Sequence, residues 1–300
     1  MRQNTQTEEN TARETPPAEA NAPNSTPGLI PDLTETEREQ VERRTTISAI
    51  IVHEAIREEG ERELRRPASA LAWSGLAAGL SMGFSLVGQG LLRAYLPDVS
   101  WRPLIANFGY SLGFLIVVLG RQQLFTENTL TAILPLLAHP NRHTIWRVIR
   151  LWLIVLVANI VGALAFAMLV AHTAIFKPEI QAAFTAIGKA ALDGSFSTIL
   201  LKAIFAGWLI ALMVWLLPAA ETARVHIIII LTYIVGLGAF AHIIAGSVEV
   251  LYLVSAGSLS WQGYLGEFFA PTLLGNIIGG VSLVAALNYA QVAAEGTKNH

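Results

Sequence analysis

The chain has 300 residues, of which 53% are hydrophobic and only 14% charged, against about 25% charged in an average soluble domain. Charge is unevenly spread: residues 1–66 hold 23 of the 42 charged side chains, 14 acidic and 9 basic. That split excludes a uniform globular enzyme, a coiled coil and a wholly disordered chain. A net charge of −2 gives no basic field for nucleic acid, and the absence of cysteine rules out disulfides, thiolate metal sites and a Cys nucleophile.

The N-terminus, Met1-Arg2-Gln3 followed by Glu8 and Glu9, lacks the charged-then-apolar layout of a cleaved signal. Residues 1–34 are rich in Thr, Asn, Pro, Glu and Ala and have almost nothing to bury, which predicts a disordered tail. Thr34 and Glu37 have capping-box spacing, and good helix formers around Val41, Ile47, Ile51 and Ala55 predict a helix on the membrane surface or against the body across residues 35–66.

Beyond Pro67 the apolar runs begin. A helix needs about 20 apolar residues to cross the hydrocarbon, and six candidates follow: Ala68–Leu92, Leu104–Leu137, Val148–Ala171, Ile199–Leu217, His226–Val254 and Phe268–Ala290. They define an all-α membrane domain over residues 67–292, with a short tail at 293–300. The second and fifth runs are too long for one crossing and too short for two. Each is interrupted, at Arg121-Gln122-Gln123 with Thr126-Glu127-Asn128, and at His242 to Gly246. Both read as broken helices, which a membrane tolerates only where they are buried in protein or line a cavity. Nine Lys and Arg residues flank one side of the spans (Arg57, Arg62, Arg65, Arg66, Arg142, Arg147, Arg150, Arg224 and Lys298). Four flank the other (Arg93, Arg102, Lys177 and Lys189), so both termini are expected in the cytoplasm.

An internal echo links the two halves. Ala158-Asn159-Ile160-Val161-Gly162-Ala163 and Gly275-Asn276-Ile277-Ile278-Gly279-Gly280 are 117 residues apart. The same offset carries Leu124-Phe125-Thr126 onto Ala241-His242-Ile243, the other break. Three spans per copy make the second copy inverted, a 3+3 arrangement that places a site at the midplane where the broken ends meet. The Asn-x-x-Gly-small pattern itself reads as close helix packing, with no substrate contact assigned to either Asn. His53, His139, His143, His172, His226 and His300 lie in tails, loops or span ends. Only His242 falls inside a span, where an ionisable group is costly enough to mark a functional site.

These four segments, in this order and spacing, resemble the formate/nitrite transporter family across about residues 65–292. The resemblance implies an aquaporin-like protomer in a homopentamer, one pore per protomer, passing small monovalent anions such as formate, nitrite or hydrosulfide. It implies His242 as the central pore residue, Leu124 and Thr126 on the loop beside it, Tyr110 and Phe114 as one constriction, and Leu124 with Val235 at the other. No cofactor, metal, enzymatic activity or nucleic-acid partner follows from it. The chain departs from the family pattern at Arg121-Gln122-Gln123, where Gly-small-acid is usual, at Ala211 and Gly246, where Asn is common, and at Val235, where some relatives have an aromatic. Arg121, Lys202 and Glu249 are expected together in the periplasmic half as pore charges, with Glu249 paired to one of the other two. A bacterial inner-membrane, pH-sensitive anion channel is the leading reading. A neutral-solute channel, and a membrane scaffold whose tail binds a cytoplasmic partner, stand as alternatives.

Overall fold

In the computed structural model, the description covers residues 34–36, 47–285 and 290–291. Residues 1–33 of the expected 1–34 tail, residues 37–46 of the lead-in helix, residues 286–289 and 292 of the membrane domain, and the expected tail at 293–300 lie outside it. Residues 34–36 fall in a separate unit from everything after Thr46.

No strand occurs among the described residues. The helix α1 (Ala49–Arg65) is highly charged. Ser48 caps it by accepting from the Ile51 N–H, and Arg62 and Arg65 sit at its C-terminal end, where the helix dipole favours cations. Arg57 pairs with both Glu54 and Glu61. The hydrogen bond from Arg57 holds the Glu54 carboxyl below its usual range. Val52, His53, Ile56 and Leu64 form its buried face. His53 meets the Trp215 ring edge-on at 6.4 Å, and burial pushes its imidazole below the ordinary histidine value.

The body then builds from long apolar helices: α2 (Ala68–Tyr95), α3 (Arg102–Leu119), α6 (Arg142–His172) and α8 (Phe196–Leu216). Shorter helices lie between and after them: α4 (Phe125–Thr131), α5 (Ile133–Ala138), α7 (Pro178–Ala191), α9 (Arg224–Leu237) and α10 (Ile243–Ser255). The last run passes from a π-helical stretch, Tyr264–Phe269, into α11 (Ala270–Ile278) and a second π stretch, Gly279–Ala285. Among the described residues four helices are long and apolar enough to cross a membrane: α2, α3, α6 and the run Phe196–Ala219.

Two helix pairs organise the core. α2 packs along α6, and α8 along α11. Both crossings are glycine-tight: a Cβ on Gly162 would meet the Leu80 backbone nitrogen at 2.8 Å, and one on Gly207 would meet Asn276 Cα at 2.8 Å. Small residues allow such close approach, and with no hydrophobic drive inside a bilayer this contact is what holds helices together. α10, buried on nearly every face, fills the space between α6 and α7.

Candidate functional site: two hinges meeting at a waist

Each broken helix stops and restarts in the same way. α3 ends at Gly120 (φ −75°, ψ −1°) and α9 at Gly238 (φ −77°, ψ 0°). The next residues, Arg121 and Ala239, take positive φ of 51° and 48°. The chain then re-enters a helix through Leu124 (φ −104°, ψ 129°) and His242 (φ −105°, ψ 127°). The hinges are thus 118 residues apart, whereas the two Asn residues are 117 apart. Structurally, Leu124 is the counterpart of His242, and the sequence register that put Phe125 there was one residue out. The segment from hinge to Asn is one residue shorter in the second half, and an offset taken from the Asn pair inherits that slip.

The Asn residues brace the hinges. Asn159 Oδ1 accepts from the Phe125 N–H at 2.9 Å, and its Nδ2 donates to Gly75 O (2.7 Å) and Gln123 O (2.9 Å). Asn276 repeats this with the Ile243 N–H (2.8 Å), Ala203 O (2.8 Å) and Ala241 O (2.9 Å). Both are fully buried. A break exposes backbone donors and acceptors that lipid cannot satisfy, and one primary amide supplies both kinds.

At the waist, the His242 ring caps its own helix. Nδ1 accepts from the Ile244 and Ala245 N–H groups at 3.3 and 3.2 Å, and Nε2 lies 2.8 Å from Thr126 Oγ1. Because Nδ1 faces two donors, the pattern assigns the ring proton to Nε2, which donates to the Thr126 hydroxyl. Phe114 meets the imidazole edge-on at 4.9 Å, and the Tyr110 ring packs tilted against Phe114 at 5.4 Å. His242 is 1% exposed, and Thr126, Leu124 and Phe114 are fully buried. The waist is dry.

A cavity opens on each side. One, of about 350 Å³, lies beside α1 and is lined by Leu124, Val118, Arg121 and the start of α9 at Arg224. The other, of about 230 Å³, is lined by His242, Val235, Tyr110 and the start of α3 at Pro103. Each half-helix therefore begins beside one cavity and delivers its hinge to the other. Thr126 and Phe114 line neither and sit between.

This crossing corrects two sequence expectations. Val235, in the last turn of α9, lines the cavity of Tyr110 and not that of Leu124. Arg121, Lys202 and Glu249 do not gather: Arg121 lies by α1 and pairs with Glu59 at 2.7 Å, while Lys202 Nζ donates to Asp193 O at 3.0 Å and lines neither cavity. Glu249 alone of the three lines the far cavity, 7% exposed, and the expected ion pair is not made. Gly246 has its reason in packing, since a Cβ there would meet Phe268 Cε2 at 2.9 Å. Sequence reasoning missed Gln89, Glu127 and Phe268 as cavity residues. Gln89 and Glu127 are polar interruptions of apolar runs, a readable signal; Phe268 carries none.

Residues 51–290 match the sequence profile described as Formate/nitrite transporter. The chain belongs to the formate/nitrite transporter family. Among its relatives, the inner membrane protein YfdC of Escherichia coli (strain K12) is 44% identical over 270 residues, 87% of each chain. The formate channel BtFdhC of Bacillus thuringiensis is 26% identical over 80% of this chain and 93% of its own. A solved pentameric formate channel with formate bound superposes with a TM-score of 0.65 at 21% identity, covering 74% of this chain and 96% of that one. The formate/nitrite transporter fold and the membrane-channel class follow, and the family is one of transporters and channels, not enzymes.

Proposed function

We propose that this protein is an inner-membrane channel or permease for small monovalent weak-acid anions of the formate, nitrite and hydrosulfide kind, with His242 giving it pH sensitivity. The observation that carries the reading is the His242 ring, which lines one cavity and hydrogen-bonds Thr126 at a dry waist between Phe114 and Leu124. An anion stripped of water there faces several kcal/mol of desolvation. A ring that offers a proton at that point lowers the barrier.

The architecture that accompanies this reading is six spans in an inverted 3+3 repeat, residues 67–292, assembled as a homopentamer with both termini cytoplasmic. It is supported by the matched hinges, the reciprocal Asn braces and the opposed courses of α3 and α9. The solved relative described as pentameric supports the stoichiometry. Residues 1–34 and 293–300 are then cytoplasmic tails, and residues 35–66 a cytoplasmic lead-in.

A flux panel tests it. Proteoliposomes are loaded against formate, nitrite, hydrosulfide, acetate and glycerol across pH. Passage of the small acids, rising on acidification, with glycerol excluded, supports the reading. Glycerol passage with no acid flux would establish a neutral-solute channel instead.

A further inference from the structure

Each cavity holds acidic and amide oxygens that have found no donor. On the far side, Glu249 stands seven residues past His242 on α10, so both line the same cavity. It is 7% exposed and makes no ion pair or side-chain hydrogen bond with any described residue. Gln89 on α2 spends its Nε2 on Asn107 Oδ1 at 2.6 Å, and Asn107 Nδ2 donates to Pro103 O at 2.7 Å. Gln89 Oε1 is left buried and unpartnered on the same cavity wall. The other charged or titrating groups facing Glu249 there are Arg93 from α2, Tyr110 from α3 and His242.

The cavity beside α1 repeats the chemistry. Glu127 Oε1 and Gln122 Oε1 are buried without partners, and both residues line it. Glu127 faces Glu59 and Glu63 from α1, Arg66 after it, Arg121 from the hinge and Arg224 from α9. Two of those arginines are already engaged, Arg121 with Glu59 at 2.7 Å and Arg66 with Glu63 at 2.9 Å.

A formate or nitrite anion brings only acceptors, and brings them with the same sign of charge as an ionised carboxylate. A protonated weak acid brings a donor. We propose that Glu127 and Glu249 are specificity-determining residues, one in each cavity, that hold anions out unless protonated and so admit the permeant in its hydrogen-bond-donating form. The inference rests on the weak-acid reading above and adds two titrating gates to the single central imidazole. The gates act independently because the waist separates them.

The test is sided. Formate flux is measured in proteoliposomes of known orientation with the pH of each face varied separately, for the parent, Glu249→Gln and Glu127→Gln. Alkaline conditions on the far face should suppress entry from that face in the parent. Glu249→Gln should raise that flux on the order of tenfold, the scale at which a like charge in a low-dielectric cleft alters ion entry. Glu127→Gln should do the same from the opposite face only. Should a Gln variant not fold, the corresponding Ala variant removes the same charge. Parental sided profiles in folded variants, or an equal change from both faces at every pH, would overturn the proposal. A parent that passes no weak acid would overturn the functional reading and take this inference with it.

Discussion

The two hinges are the instructive comparison. They share a terminal glycine, a positive-φ residue, an extended cap and an Asn brace, with the cap angles agreeing within a few degrees. They differ in the side chain at the cap. Leu124 leaves its helix start without a side-chain cap, while His242 accepts from two backbone N–H groups. The backbone path does not need the imidazole, because the first hinge holds the same path without one. His242 is therefore free to be selected for chemistry, and the Asn residues bear the structural duty.

Breaking that division of labour gives ordered outcomes. Asn159→Ala and Asn276→Ala each strand one buried N–H and two carbonyls, at about 1–3 kcal/mol per unsatisfied group. Each should cost at least about 3 kcal/mol, read as loss of the folded fraction in detergent thermal unfolding; a loss under about 1 kcal/mol in either would show that the hinge is held elsewhere. Ala239→Gly is expected to stabilise by about 1 kcal/mol, since an L-residue pays about that much for left-handed backbone. No gain would mean the strain is relieved locally. The smallest effect belongs to the ion pair at the first hinge. Arg121 and Glu59 side chains are 69% and 37% exposed, so Glu59→Gln should cost less than about 1 kcal/mol and vanish in high salt. A large, salt-independent loss would mark the pair as a true clamp between α1 and the hinge.

Much of this was legible in the sequence, for a physical reason. Polar residues inside apolar runs are expensive in a bilayer, so Arg121 to Gln123 and His242 announced both breaks. Asn159 and Asn276 marked the repeat but read as helix packing, and their hydrogen bonds to the hinges were visible only in the fold. What stayed hidden depends on how distant segments meet. The hinge register was set by an offset borrowed from the Asn pair, and the shorter second connection shifted it by one. The partner of Arg121 lies 62 residues away on α1, where a charge-rich helix offers many candidates and no periodicity selects Glu59. Val235 went to the wrong side because a hydropathy profile carries no record that α9 crosses past the waist before it ends.

The most direct measurement is the pH profile of formate flux in parent and His242→Ala protein, reconstituted side by side. Removing the ring takes away the Thr126 contact and the helix cap but leaves the Asn276 brace. The account predicts a folded protein whose acid-stimulated uptake is abolished. Full parental flux with its pH dependence intact in the alanine variant would contradict it.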